Sequence, residues 1–148
     1  MTVIAFDGYT LAADRMAAVG SSTNASMSKI YHLKNGDYAA AAGRAAEAVL
    51  MIKWIDEGAV YEDYPLAGEP DSTVIVVSKD GVLKQYDGPV PLVLTGPFYA
   101  IGSGREYALA AMYLGHDARK AVEVANALCM DCGNGIDSVT LESRGSLH

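Results

Sequence analysis

Thr2-Val3-Ile4-Ala5-Phe6-Asp7-Gly8-Tyr9-Thr10-Leu11-Ala12-Ala13-Asp14 is the stretch whose reading decides the fold. Two β-prone runs flank Asp7-Gly8, a dipeptide that favours a tight hairpin because it tolerates positive φ. The stretch therefore predicts an antiparallel pair, Thr2 to Phe6 and Tyr9 to Asp14. Outward from it the pattern recurs. Met27 to Leu33 is a third strand, Lys34-Asn35-Gly36-Asp37 a turn, and Tyr38 to Ala42 its return. The β-branched run Ser72 to Ser78 turns at Lys79-Asp80-Gly81 into Val82 to Tyr86. Phe98 to Ile101 and Asp137 to Ser143 are further strands. Residues 88 to 97 carry Pro89, Pro91 and Pro97 and receive no assignment.

Three helices separate these blocks. The first spans Gly43 to Glu57, with Ala45, Ala48, Ile52 and Ile55 on one stripe and Gly58 as C-cap. Arg105 to Leu114 is the second. Ala118 to Cys129 is the third, with Asp117 as N-cap and an apolar face of Ala121, Val122, Ala125, Leu128 and Cys129. Residues 59 to 71, with two prolines and several acids, read as a surface loop. Hairpin blocks alternating with helices predict an α+β fold with mostly antiparallel sheets, a single domain over residues 1–148.

Composition narrows the function. At 51% hydrophobic residues, a chain of 148 residues can bury a real core. Its net charge of -7 argues against a broad nucleic-acid surface. No apolar run is long enough to span a bilayer, and Asp7 and Asp14 interrupt any signal-like segment, so a cytoplasmic location is expected. The two cysteines cannot build a disulfide framework. Cys129-x-x-Cys132 has metal or redox spacing, yet no second pair accompanies it and it falls at a helix C-terminus, where the dipole disfavours thiolate. The pair reads as small buried hydrophobes. No metal or cofactor is expected.

Lys29 is the first residue of chemical interest. Alternation along Met27 to Leu33 places it on the face of Met27, Tyr31 and Leu33, where an unpaired cation is costly. It reads either as an interior charge tuned for chemistry or as an edge-strand lysine reaching water. Asp14 ends the second strand, where it could pair with such a lysine or simply open a loop. Thr2 follows the initiator Met1, which is generally trimmed before small residues. An N-terminal threonine combines a hydroxyl nucleophile with its own α-amine as base, and that amine titrates at about 7.7–8.0. A nearby cation such as Lys29 lowers the value further. The alternative is a threonine that only begins a strand. Gly102-Ser103-Gly104, between a strand and a helix, reads as an anion nest or as a tight turn; it lacks the full phosphate-loop and nucleophile-elbow patterns.

These pieces stand in a familiar order. Thr2-Val3-Ile4-Ala5, Leu11-Ala12-Ala13-Asp14-Arg15, Ser28-Lys29-Ile30-Tyr31, Ala42-Gly43-Arg44-Ala45-Ala46-Glu47, Tyr99-Ala100-Ile101-Gly102-Ser103-Gly104 and Gly133-Asn134-Gly135-Ile136-Asp137 together resemble the proteasome β-subunit and HslV-type peptidases. The resemblance implies a four-layer αββα sandwich of the N-terminal nucleophile hydrolases. It also implies homo-oligomeric stacked rings, unfolded polypeptides as substrates and an ATP-dependent unfoldase as partner. It assigns Thr2 as nucleophile after Met1 removal, Asp14 and Lys29 as its supporting acid and lysine, and Ser103 as the partner of its amine. An oxyanion donor is implied in the turn before the first helix, and counting from Gly43 gives the Ala40 N–H. That position usually holds glycine in the family. Cys129 and Met130 occupy the stretch where proteasome members carry an aspartate, so Asp131 stands as its tentative substitute. Two other functions remain open: an inactive ring of the same fold serving as scaffold or binding chamber, and an N-terminal nucleophile amidase acting on a small molecule.

Overall fold

The computed structural model describes residues 2–19, 22–68 and 70–141. Met1, the end of the last expected strand and the tail 144–148 lie outside the described residues. In chain order the strands are β1 (Ile4–Phe6), β2 (Thr10–Asp14), β3 (Met16–Val19), β4 (Ser22–Ser26), β5 (Ile30–His32), β6 (Tyr38–Ala42), β7 (Thr73–Val77), β8 (Leu83–Tyr86), β9 (Pro91–Leu94), β10 (Tyr99–Ile101) and β11 (Ile136–Thr140). The helices are α1 (Ala45–Asp56), α2 (Arg105–Tyr113) and α3 (Ala118–Leu128).

The opening hairpin forms as its sequence dictates. Ile4 faces Ala13 and Phe6 faces Leu11. Gly8 takes φ +89°, and the Asp7 carboxylate closes the turn by accepting from the N–H groups of Tyr9 and Thr10 at 2.9 and 2.7 Å. β10 and β11 add antiparallel on either side, giving the order β10-β1-β2-β11. A second antiparallel sheet runs β5-β6-β7-β8-β9.

Period-two alternation sorts the side chains into three apolar clusters. Val3, Ala5 and Ala12 point from the first sheet to α2 and α3, meeting Ala108, Ala111, Val122 and Ala125. Ile4, Phe6, Leu11 and Ala13 point the other way and meet Ala40, Ile75, Val77 and Leu83 of the second sheet. The far face of that sheet, through Ala39, Val74 and Val76, packs on Met51, Ile52 and Trp54 of α1. Trp54 anchors this last layer. Its indole N–H donates to the Val60 carbonyl at 2.8 Å, and Tyr64 and Tyr86 meet its ring edge-on.

Several expectations change. The hairpin β3-β4 was not expected, because its small and polar residues carry little β signal. Residues 27–29 are not strand; β5 begins at Ile30, so Lys29 is not on a strand face with Met27. Gly43 and Arg44 form the turn ahead of α1, and its buried face is Ala48, Met51, Ile52 and Trp54, while Ala45 is exposed. Leu128 at the end of α3 is 61% exposed. Pro91 opens β9 at the sheet edge, where a missing N–H disturbs no ladder. Asp117 caps α3 as expected, accepting from the Lys120 N–H at 2.8 Å. Among the described residues, no helix is long and apolar enough to cross a membrane.

Candidate active site

The end of β2 carries Asp14 into the interior, with none of its surface exposed. Three donors surround its carboxylate. Oδ1 accepts from the Val3 N–H at 3.1 Å and from Lys29 Nζ at 2.7 Å, and Oδ2 accepts from the Gly133 N–H at 3.1 Å. A buried ion pair is tolerated when further hydrogen bonds satisfy it in this way. Because Lys29 lies ahead of β5 rather than within it, its side chain can turn inward. It is 6% exposed, and Nζ also donates to Thr2 Oγ1 at 3.1 Å. Lys29 is therefore a paired interior charge and not an edge-strand lysine reaching water.

Thr2 is itself 6% exposed and is held from the other side by the loop after β10. Its N–H donates to Ser103 Oγ at 3.1 Å, and its carbonyl accepts from the Gly104 N–H at 3.0 Å and the Ser103 hydroxyl at 3.3 Å. Gly102, at φ +98°, leaves no room for a side chain: an added Cβ would lie 2.2 Å from the Thr2 carbonyl oxygen. The glycine loop is therefore a clamp on Thr2. The nest for an external anion that its sequence suggested is not formed, since the Gly104 and Arg105 N–H groups are bonded to Thr2 and Gly102.

Thus Thr2, Asp14, Lys29 and Ser103 meet in one connected network, and two expected residues do not join it. Ala40 is fully buried in the middle of β6, between Ile30 and Ile75. The Leu33 N–H donates to the Asp37 carbonyl, and antiparallel alternation then turns the Ala40 N–H toward β7. It serves the sheet and is not an open donor, and the turn before α1 is formed by Gly43 and Arg44. Asp131 is exposed in the turn after α3, while its neighbours Cys132 and Gly133 face inward.

Sequence reasoning missed further contributors. Gly133 donates to Asp14, and its carbonyl accepts from the Arg15 N–H, so the 133–135 loop closes the carboxylate's far side. Arg15 and Asp137 form an ion pair beside it. Cys132 is 4% exposed and packs beside Gly104; burial, first of all, pushes its thiol up to about 12. The Gly133-Asn134-Gly135 run was the available signal for this loop, and all three residues take positive φ.

No family model and no curated protein matches this chain. Solved structures do. BPH of Thiobacillus denitrificans, in complex with epoxomicin, superposes with a TM-score of 0.72 at 22% identity, covering 97% of this chain and 100% of the other. The eukaryotic HslV of Trypanosoma brucei gives 0.72 at 21% identity over the same shares. The chain therefore has the fold of these HslV-type structures.

Proposed function

We propose that the chain is a threonine peptidase of the N-terminal nucleophile class, with its helix, sheet, sheet and helix layers stacked as an αββα sandwich. The observation that carries this reading is the position of Lys29 Nζ, 3.1 Å from Thr2 Oγ1 and 2.7 Å from Asp14 Oδ1. A buried ammonium directed at a hydroxyl oxygen has a clear use. It stabilises negative charge as the oxygen becomes a nucleophile.

In the proposed reaction, removal of Met1 frees the Thr2 amine. Thr2 Oγ1 attacks the scissile carbonyl and the amine takes the hydroxyl proton, through a water. Lys29 donates to Oγ1 throughout, and Asp14 fixes Lys29 with help from the Val3 and Gly133 N–H groups. Ser103 Oγ orients the amine. The oxyanion is received by a backbone N–H of the Gly43-Arg44 turn, since the Ala40 N–H is turned toward β7. One such donor contributes about 2.7–4 kcal/mol. The amine then returns its proton to the leaving nitrogen, and water releases the acyl-enzyme. Polypeptides are the proposed substrates, within a homo-oligomeric ring fed by an ATP-dependent unfoldase. Exposed Val90, Leu92, Val93, Tyr113 and Leu114 support burial against other copies.

The reading is tested by turnover of unstructured polypeptides. The mature protein is expected to cleave them and Thr2→Ala to be inert while folded. Equal cleavage by Thr2→Ala would remove the proposal. A folded, assembled protein that retains Met1 and cleaves nothing would instead be the scaffold.

A further inference from the structure

The turn that carries the oxyanion donor has no cap of its own. Arg44 stands at the N-cap of α1 and makes no side-chain cap hydrogen bond, where a Ser, Thr, Asp or Asn would take an N–H of the first helical turn. The turn is held from outside instead, by residues 71 and 72 as the chain enters β7. Gly43, at φ +112°, lies so close to them that an added Cβ would be 2.2 Å from the Asp71 carbonyl oxygen and 2.7 Å from Ser72 Cα. Ser72 is 2% exposed, and its hydroxyl lies 3.1 Å from both the Arg44 carbonyl oxygen and Glu47 Oε1, sharing its hydrogen between them. Glu47 Oε1 also accepts from the Asp71 N–H at 3.1 Å.

Glu47 occupies the third position of α1, three residues after Arg44. From there a carboxylate ordinarily reaches back to the N-cap N–H and closes a capping box. Here it turns sideways to Asp71 and Ser72, so the first turn of α1 is tied to the start of β7 and the carboxylate does not consume the Arg44 N–H. On the other side of the turn, Ala42 ends β6 opposite Thr73. Ladder and carboxylate together fix where the N–H groups of Gly43 and Arg44 lie.

We propose that Glu47 and Ser72 are positioning residues that lock the oxyanion turn onto β7. The proposal rests on the reading of Thr2 as nucleophile and of the Gly43-Arg44 turn as oxyanion donor. An oxyanion donor works only within about 2.7–3.1 Å of the developing charge, and a displacement of about 1 Å costs about 10²-fold in rate. Gly43 and Arg44 are exposed, so nothing packed on their outer side opposes such a displacement once the lock is cut. The loss falls on kcat rather than KM, because the donor meets full negative charge only in the transition state. The role calls for an acceptor and not for a charge, since a negative group near a developing oxyanion opposes it.

The experiment uses the mature full chain and its variants Glu47→Ala, Glu47→Gln and Ser72→Ala, each checked for folding by far-UV circular dichroism. It follows kcat and KM on an unstructured polypeptide and the inhibition constant of a peptide boronate, whose boron bonds to Thr2 Oγ1 and becomes a tetrahedral anion. Glu47→Ala is expected to lower kcat about 10²-fold with KM little changed, and to raise the boronate constant in parallel. Ser72→Ala should move both in the same direction. Glu47→Gln, whose amide oxygen accepts from Asp71 and Ser72 alike, should stay close to wild type. A contact that only supports the fold would reduce the number of folded sites and leave the boronate constant of the remaining sites unchanged. That result, wild-type kcat in Glu47→Ala, or a loss in Glu47→Gln as large as in Glu47→Ala, overturns the lock while the peptidase reading stands. If Ser72→Ala does not fold, the two Glu47 variants decide the question. A folded wild type, free of Met1, that neither cleaves polypeptide nor binds the boronate overturns the peptidase reading and the lock with it.

Discussion

Lys29 and Asp14 form a buried charge pair in which each partner depends on the other. Removing the cation leaves Asp14 fully buried with two backbone donors among the described residues. Lys29→Ala is therefore expected to destabilise the protein by about 3–5 kcal/mol, measured by denaturant unfolding, and to abolish turnover. Lys29→Met, which fills the volume without charge, should lose as much activity. Gly102 is the other sensitive point. Gly102→Ala drives a Cβ toward the Thr2 carbonyl and forces a positive φ on alanine. Turnover should fall sharply in a protein whose far-UV circular dichroism is unchanged; wild-type turnover would show that the clamp does not position Thr2. Cys132 adds a pH signature. Its thiol has its native pKa raised from 9.0 to about 12, so below pH 9 both folded and unfolded chains hold the proton. Between pH 9 and 12 the unfolded chain loses it first and stability falls. The melting temperature of wild type should drop more steeply over that range than that of Cys132→Ser.

Elements differ in how plainly their residues announce them. The β1-β2 hairpin was legible because Asp7-Gly8 specifies the turn and the flanking runs alternate onto two buried faces. Asp117 announced the start of α3 by its capping chemistry. β3 and β4 were not legible, since the polar run of β4 resembles a loop and becomes strand only by pairing. Lys29 was singled out for a partly mistaken reason. Alternation along a strand marked it as awkward, yet it works because the chain is irregular there. The error at Ala40 had the same source, a short turn whose length the sequence does not state. That turn can be tested. At Gly43 an added Cβ would lie 2.2 Å from the Asp71 carbonyl oxygen at φ +112°. Gly43→Ala should lower both stability and kcat, whereas Ala40→Gly should affect packing alone. In α1, Trp54 joins helix, loop and sheet, and Trp54→Ala should cost about 3–5 kcal/mol with the site chemistry otherwise intact.

At the scale of the whole molecule, the two sheets bring together residues far apart in sequence. Thr2 meets Ser103 across 101 positions and Asp14 meets Gly133 across 119. Sequence alone could name the four residues, because each stands in a motif of recognisable order. It could not show the clamp on Thr2 or the Gly133 N–H on Asp14, which exist only after the strands pair. The exposed apolar residues on β9 and at the end of α2 lead to the expectation that native mass spectrometry gives a large multiple of the 15.6 kDa chain. A monomer at all concentrations would contradict assembly. The central claim is narrower: Thr2, freed of Met1, is the nucleophile. Its most direct test is incubation with epoxomicin, the compound bound by the T. denitrificans structure, followed by peptide mass mapping. The account predicts one adduct, on an N-terminal Thr2, absent from Thr2→Ala. An adduct elsewhere, or an unmodified peptide still carrying Met1, would contradict it.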